Sequence, residues 1–427
     1  MRRNVHALIV CFLALIFTLP TFASAEGVQT GAEVAKPDAY NIVALGDSIS
    51  VGYQKGMTET SVPYGYVDRV YEQALFHGRA TLNNFAILGL TTPGLNALLL
   101  GAEAGKKLTA DDLQDFSGYS DKRIKTQAET VAAIAPSVAP ALANADLVVL
   151  TVGGNDFKGI VGNVLLDSPG VSADSLHKQF DETMNIYTAN LDTAVHQIHK
   201  MAPGARIVVA DQYLPLWEEH PLYGELSKSV EKLTAALEQY ATKVVAEGIP
   251  LAIARVGEKF HNNVAKFTYV DKIIIVYDNH PRTAGYEAMA QAFADVIWQQ
   301  YLVPAPKPAG VTLSVVVNGK ELAYKPINVK NTNFLPIREL AGAVDAEFKW
   351  DQPTKTAIFK KNGHQVTVTI GAKTMIVDGV RTPLDTPAFF HKVGKETKTY
   401  VPIAAITKAL EFEVIYRQTL QTAFINS

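Results

Sequence analysis

The stretch Asn41–Ser50, NIVALGDSIS, runs an apolar segment straight into Gly-Asp-Ser without a spacer of turn residues. An apolar run that lacks polar alternation suits a strand buried on both faces, as in a parallel sheet. In an open parallel sheet the ligand crevice lies beyond the carboxyl ends of the strands, so a residue directly after such a strand faces it. Ser48 stands there. Gly46 permits a tight turn, and N–H groups opening the next helix can stabilise an anion beside the serine oxygen. Taken alone, the tripeptide equally describes an ordinary turn in which Asp or Ser caps a helix.

Working outward, Asp146–Val152 (DLVVLTV), Arg206–Ala210 (RIVVA) and Leu251–Val256 are further runs of buried-strand type. Between them lie helical patterns such as Ser227–Ala246, and after them comes Thr283–Gln299, where Tyr286, Met289, Phe293, Val296 and Ile297 recur at helical spacing. Strands alternating with helices predict a three-layer, doubly wound, mainly parallel α/β sheet. Two of these boundaries also carry chemistry. The run DLVVLTV ends in Gly153-Gly154-Asn155-Asp156, which puts an amide at the carboxyl edge, and YDNHPRTAGY places His280 just before Pro281, a residue suited to a first helical turn. A serine, an amide and an imidazole all delivered to one sheet edge suit nucleophilic catalysis better than coincidence.

With these residues the segment from Tyr40 to Leu302 resembles the GDSL, or SGNH, esterase and lipase family. Ser48 in GDSIS matches the nucleophile, Gly89 in NFAILGLTT the glycine whose backbone N–H faces the oxyanion, Asn155 in GGND the asparagine of the third block, and His280 the base. The resemblance implies an acyl-enzyme mechanism with an oxyanion hole formed by Ser48, Gly89 and Asn155, and needs no cofactor or metal. One position departs from the pattern: the family's Asp stands three residues before the His, where this chain has Tyr277, while Asp278 is two before. Either Asp278 orients the imidazole, or a backbone carbonyl does so and the site works as a dyad. Tyr53, Tyr64 and Tyr66 would line an acyl groove or pack the first helix. The insertion Ala102–Asn144 would be a lid or a solvated helical pair.

The Pro-rich stretch Val303–Gly310, VPAPKPAG, favours an extended spacer and sets the boundary between residues 39–302 and 311–427. Beyond it come the hairpin signals Asn318-Gly319, Asn362-Gly363 and Asp378-Gly379, with Val366, Val368 and Ile370 alternating as in a half-buried strand. The segments that start at Pro336 and Pro402 align without a gap at an offset of 66, pairing Ala343 with Ala409, Glu347 with Glu413 and Trp350 with Tyr416. That is the pattern of a duplicated unit in a smaller α+β domain. This part resembles the copper-amine-oxidase N-terminal-like domain of exported bacterial proteins, although His364 and His391 are isolated and do not form the cluster copper would need.

Composition bounds the rest. Hydrophobic residues make up 48 % of the 427 and charged residues 19 %, a globular balance. Arg2 and Arg3, an apolar run from Ala7 to Leu19 and small residues at Ala23 and Ala25 have the order of a secretory signal peptide, residues 1–25, followed by a linker over 26–38. An uncleaved anchor is the alternative, although the run is shorter than the ~20 residues a span needs. Cys11, the only cysteine, lies in that run, so disulfides, cysteine catalysis and cysteine-bound zinc are excluded from the mature chain. From Val303 onward 16 Lys and Arg face 10 Asp and Glu, whereas the whole chain is at -3. The larger part is therefore acidic, which argues against a nucleic-acid partner. The basic part suggests contact with anionic wall polymers.

The expected protein is a secreted or wall-associated serine ester hydrolase acting on lipid or small acyl esters. Alternatives are an O-deacetylase or transacylase of polysaccharide or cell wall and, in another class, a surface adhesion protein whose hydrolase-like domain is inactive.

Overall fold

The structure, a computed structural model, describes residues 39–165, 172–270 and 278–427. The expected leader and the linker after it, residues 1–38, lie outside the described residues, as does Tyr277. Among the described residues no helix is long and apolar enough to cross a membrane.

Five strands, β1 (Tyr40–Gly46), β2 (Ala80–Asn84), β3 (Leu147–Thr151), β4 (Arg206–Ala210) and β5 (Leu251–Ala254), form one sheet in the order β2-β1-β3-β4-β5. Every pairing in it is parallel. The apolar runs are unbroken because both faces are covered. In β1, Val43 and Leu45 face one cluster with Val148, Leu150, Ile207 and Val209. Ile42 and Ala44 face the opposite cluster with Leu147, Val149 and Val208.

The helices of this part are α1 (Ser48–Val51), α2 (Tyr66–His77), α3 (Thr92–Glu103), α4 (Ala110–Leu113), α5 (Lys122–Ala133), α6 (Val138–Ala143), α7 (Lys158–Leu165), α8 (Ala173–Met201), α9 (Tyr223–Ala246), α10 (Val256–Phe260), α11 (Val264–Phe267) and α12 (Thr283–Ile297). Leu95 and Leu98 of α3, Leu191 and Val195 of α8 and Leu233 of α9 fill the first cluster. Val67 and Val70 of α2 and Tyr286, Met289 and Phe293 of α12 fill the second. The result is the expected three-layer fold. Helix α12 begins at Thr283, so Pro281 stands ahead of the helix, where it bridges Thr268.

The insertion Ala102–Asn144 is neither a lid nor a solvated pair. Leu108, Leu113, Phe116, Ala128 and Val131 are buried in the same cluster as β1 and β3. Most of its polar residues form the outer face.

From Ser314 onward the chain is α+β. Strands β6 (Ser314–Val317) and β7 (Lys320–Glu321) pair with β17 (Glu413–Arg417) and β18 (Thr422–Asn426) in the order β17-β18-β6-β7. A second sheet runs β15 (Phe389–Val393), β16 (Glu396–Pro402), β9 (Thr332–Pro336), β8 (Ile327–Val329). The third is the meander β10 (Glu347–Asp351), β11 (Thr356–Lys361), β12 (His364–Thr369), β13 (Thr374–Val377), β14 (Val380–Pro383). Helices α13 (Ile337–Ala343) and α14 (Ile403–Ala409) each follow a strand and precede a hairpin. All three Asn-Gly or Asp-Gly pairs sit in two-residue hairpin turns with both residues at positive φ, the conformation that matches strand twist.

This part is docked on the first. Phe424 meets Phe76 of α2 edge-on at 4.9 Å, and both share the cluster under α12. Asn426 Nδ2 donates to Leu75 O (2.9 Å) and Gly78 O (2.7 Å), covering carbonyls at the end of α2. Arg417 donates to Glu72 Oε1 (2.9 Å) and Asp68 Oδ1 (3.2 Å). The Pro-rich stretch expected as an extended spacer is itself held: Ala305 N donates to Glu321 (2.6 Å) and Lys307 Nζ to Leu420 O (2.9 Å). Ala305 and Lys307 thus tie the stretch to the second part.

Candidate active site

Four loops meet at the carboxyl edge of the sheet. The strand order puts β1 between β2 and β3, so the loops that follow these three strands are neighbours. Gly46 closes β1 at φ +110°, and a Cβ there would lie 2.0 Å from Thr151 O of β3. Only glycine fits this approach. Asp47 then caps α1, its Oδ1 accepting from Ile49 N (3.0 Å) and Thr151 Oγ1 (3.0 Å). Ser48 opens the helix, 9 % exposed.

The fourth loop brings the imidazole. His280 Nε2 lies 2.8 Å from Ser48 Oγ, and His280 Nδ1 lies 2.7 Å from Asp278 Oδ1. The same Asp278 Oδ1 accepts from His280 N (3.0 Å), an Asx-type turn that curls the chain so that a ring two residues on comes back to the carboxylate. Asp278 thus occupies the orienting position in spite of its shifted place in the sequence. With the Nδ1 proton directed at the carboxylate, Nε2 is left to accept the Ser48 O–H. Backbone bonds from Tyr269 N to His280 O (3.1 Å) and Arg282 N to Phe267 O (2.7 Å) hold the loop on both sides of the histidine.

Burial pushes the Asp278 carboxyl up, but the hydrogen bond and charge of His280, its backbone N–H and the charge of Lys55 together outweigh burial and hold it below its ordinary value. Asp47 goes the other way. Burial pushes it up to about 6, against the opposing effect of its hydrogen bonds from Ile49 and Thr151 and the charge of His280. Beneath the nucleophile Thr151 Oγ1, Ser50 Oγ and Tyr66 OH continue the chain at 2.8 Å per step.

Gly89 follows β2 at φ +76°. Asn155 follows β3, and its Nδ2 donates to Leu90 O at 3.0 Å, which ties the second and third loops together. Asp156 accepts from Thr92 N (3.1 Å) and Thr92 Oγ1 (2.6 Å) and so pins the start of α3 to the same loop.

The three tyrosines have separate fates. Tyr66 is fully buried, Tyr64 OH donates to Glu72 (2.8 Å), and only Tyr53 reaches the site, edge-on to the His280 ring at 4.6 Å. Tyr286 OH donates to Tyr53 O (2.5 Å). Two residues of the insertion reach Gly89 of the second loop without any forewarning in the sequence. Gln114 Nε2 donates to Gly89 O (2.9 Å), and Tyr119 OH lies 3.0 Å from the same oxygen. Neither stands in a recognisable motif.

The family model described as GDSL-like Lipase/Acylhydrolase family matches residues 44–288, more than half of the chain. The chain belongs to that family. This GDSL-like protein is a carboxylic ester hydrolase. Its C-terminal part matches the model of the copper amine oxidase N-terminal domain over residues 316–425. The histidines there do not fit a copper site: His364 pairs with Asp378 (2.8 Å), and His391 packs on Phe389 and Tyr400. Among the described residues no group of three or more His, Cys, Asp or Glu is arranged to hold a metal.

No curated protein matches this chain. Similar solved structures include a lipase from a goat rumen metagenome, 16 % identical over 61 % of this chain and 98 % of its own, with a TM-score of 0.42. An extracellular lipase from Streptomyces rimosus is 17 % identical over 59 % and 98 %, with a TM-score of 0.38. An acetylxylan esterase from Geobacillus stearothermophilus, solved as a catalytic mutant, is 15 % identical over 62 % and 97 %, with a TM-score of 0.35.

Proposed function

We propose that this hydrolase is exported and cleaves lipid or small acyl esters through a covalent acyl-enzyme on Ser48. The observation that carries the mechanism is the unbroken chain from Asp278 through His280 to Ser48, at 2.7 and 2.8 Å. Ser48 Oγ bonds the ester carbonyl carbon while its proton passes to His280 Nε2, and Asp278 supports the imidazolium so formed. The carbonyl oxygen takes up negative charge and is received by the N–H groups of Ser48 and Gly89 and by Asn155 Nδ2. Collapse expels the alcohol, which leaves with the proton from His280. Water then attacks the acyl-enzyme, giving a proton to His280, and release of the acid returns that proton to Ser48.

The test is turnover of a chain-length series of p-nitrophenyl esters by wild type and Ser48→Ala, with fluorophosphonate labelling alongside. Wild type should label and turn over, and Ser48→Ala should do neither. Persistent labelling of the alanine variant would move the nucleophile elsewhere.

Export rests on Arg2, Arg3 and the apolar run that follows, and a tether to anionic wall polymers on the basic balance of the C-terminal part. Its exposed Lys349, Lys360, Lys392 and Lys395 are the groups to reverse. Retention on cell-wall preparations that is unchanged by Lys→Glu at these sites and by salt would refute the tether.

A further inference from the structure

The insertion contributes more than packing. Tyr119 lies across the oxyanion loop: a Cβ built on Gly89 would meet its Cζ at 2.8 Å, and its hydroxyl lies 3.0 Å from Gly89 O and 3.2 Å from Asn155 Oδ1. One phenol therefore bridges the glycine and the asparagine that the proposed mechanism asks to stabilise the oxyanion.

We propose that Tyr119 is a positioning residue for the oxyanion hole, holding the Asn155 amide in the orientation that offers its N–H to the reacting oxygen. This rests on the acyl-enzyme reading above. An amide side chain has one acceptor and two donor hydrogens. Asn155 Oδ1 faces the Tyr119 hydroxyl and one N–H is used on Leu90 O (3.0 Å), which leaves the second N–H for substrate. A flipped amide would turn its oxygen on the Leu90 carbonyl, so the two contacts select the same rotamer. Gly89 O keeps a second donor in Gln114 Nε2 (2.9 Å), so the group that depends on the phenol most is Asn155.

The phenol is itself well placed. Tyr119 N donates to Phe116 O (3.1 Å), and Phe116 is anchored in the core. Lys158 Nζ stands 4.1 Å over the tyrosine ring. Burial first, then the charges of Asp47 and Asp156, push the phenol up from its ordinary value, so it remains a donor at working pH.

The test is Tyr119→Phe, which keeps the ring over Gly89 and removes only the hydroxyl. Loss of one neutral hydrogen bond to the amide should lower kcat for p-nitrophenyl acetate about 2- to 10-fold, with KM within about twofold. An alkyl trifluoromethyl ketone, whose adduct on Ser48 carries an oxyanion, should bind more weakly by the same factor, and the melting temperature should stay within about 2 °C. A merely structural role would move the melting temperature without this split. Unchanged kcat and inhibitor affinity in Tyr119→Phe, or a rise in KM alone, would overturn the proposal while Ser48-dependent turnover of wild type still stood. Absence of that turnover in wild type would remove the underlying reading and this proposal together.

Discussion

Replacing Asp278 by asparagine tests how much the relocated carboxylate does. Both of its contacts with His280, to Nδ1 (2.7 Å) and to the backbone N–H (3.0 Å), go to a single oxygen, Oδ1. Asparagine can present an oxygen there, so the variant should keep the ring orientation and tautomer and lose only the charge. At the effective dielectric of about 20 that suits protein sites, unit charges 2.7 Å apart attract by about 6 kcal/mol. That is a ceiling, because the imidazolium charge is spread over both ring nitrogens, and the side chains of His280 and Asp278 are 23 % and 13 % exposed to screening water. Taking half gives about 3 kcal/mol of transition-state support, or about 10²-fold in kcat/KM. The assay is kcat/KM for p-nitrophenyl acetate across pH 6 to 9, with Ser48→Ala as the floor. A fall of less than about threefold at every pH would refute the reasoning and assign the orienting role to a backbone carbonyl.

Gly89→Ala should lose most activity while the protein folds, because the added Cβ lies 2.8 Å from the Tyr119 ring at a backbone of φ +76°, costing about 1–2 kcal/mol in backbone alone; kcat near wild type would refute this. Asp211, 4 % exposed, is pushed by burial up to about 6 against its hydrogen bonds from Gly257 and Thr234. Its folded state holds the proton more tightly than the unfolded chain, so this contribution is fully present below about 4 and lost as pH rises through about 6. Asp211→Asn should remove up to roughly 3 kcal/mol of that slope in urea titrations between pH 4 and 7, and an identical slope in the variant would count against it. Arg417→Ala strands Glu72, 2 % exposed, as an unpaired buried carboxylate and should cost about 3–5 kcal/mol in urea unfolding. Adding Glu72→Gln should recover part of it, and equal single and double losses would show that the charge pair is not the cause.

The sheet was legible because strands covered on both faces cannot alternate, and β1, β3, β4 and β5 all read as apolar runs. The edge strand β2, ATLNN, was not. Its one covered neighbour leaves Thr81, Asn83 and Asn84 exposed, so no apolar run marks it, although it delivers Gly89 to the site. Ser48, Asn155 and His280 were readable because each lies within four residues of an element's end. Asp278 was readable only as one of two options, since the deciding fact is the Asx-type turn that brings one oxygen to both the backbone N and Nδ1 of His280. Tyr119 and Gln114 left no local signal. Their role depends on a contact between the insertion and a loop 25 to 30 residues earlier, and nothing in the sequence of a turn states what it will lie against.

The second part bears on the first through α2, the helix that follows the nucleophile loop. Gly65, which caps it, packs so closely on Gly52 at the end of α1 that a Cβ on Gly65 would lie 2.5 Å from Gly52 Cα. At its other end the same helix is covered by Asn426, and along its flank Glu72 joins Arg417 to Tyr64. Removing residues 311–427 would therefore uncover Phe76, strand Glu72 and free the end of a helix that abuts the nucleophile turn. A truncated enzyme that lost activity would say nothing about a tether, because the support would have gone with it. Charge reversal at exposed lysines leaves this interface whole, which is why the tether is to be judged by those variants rather than by truncation.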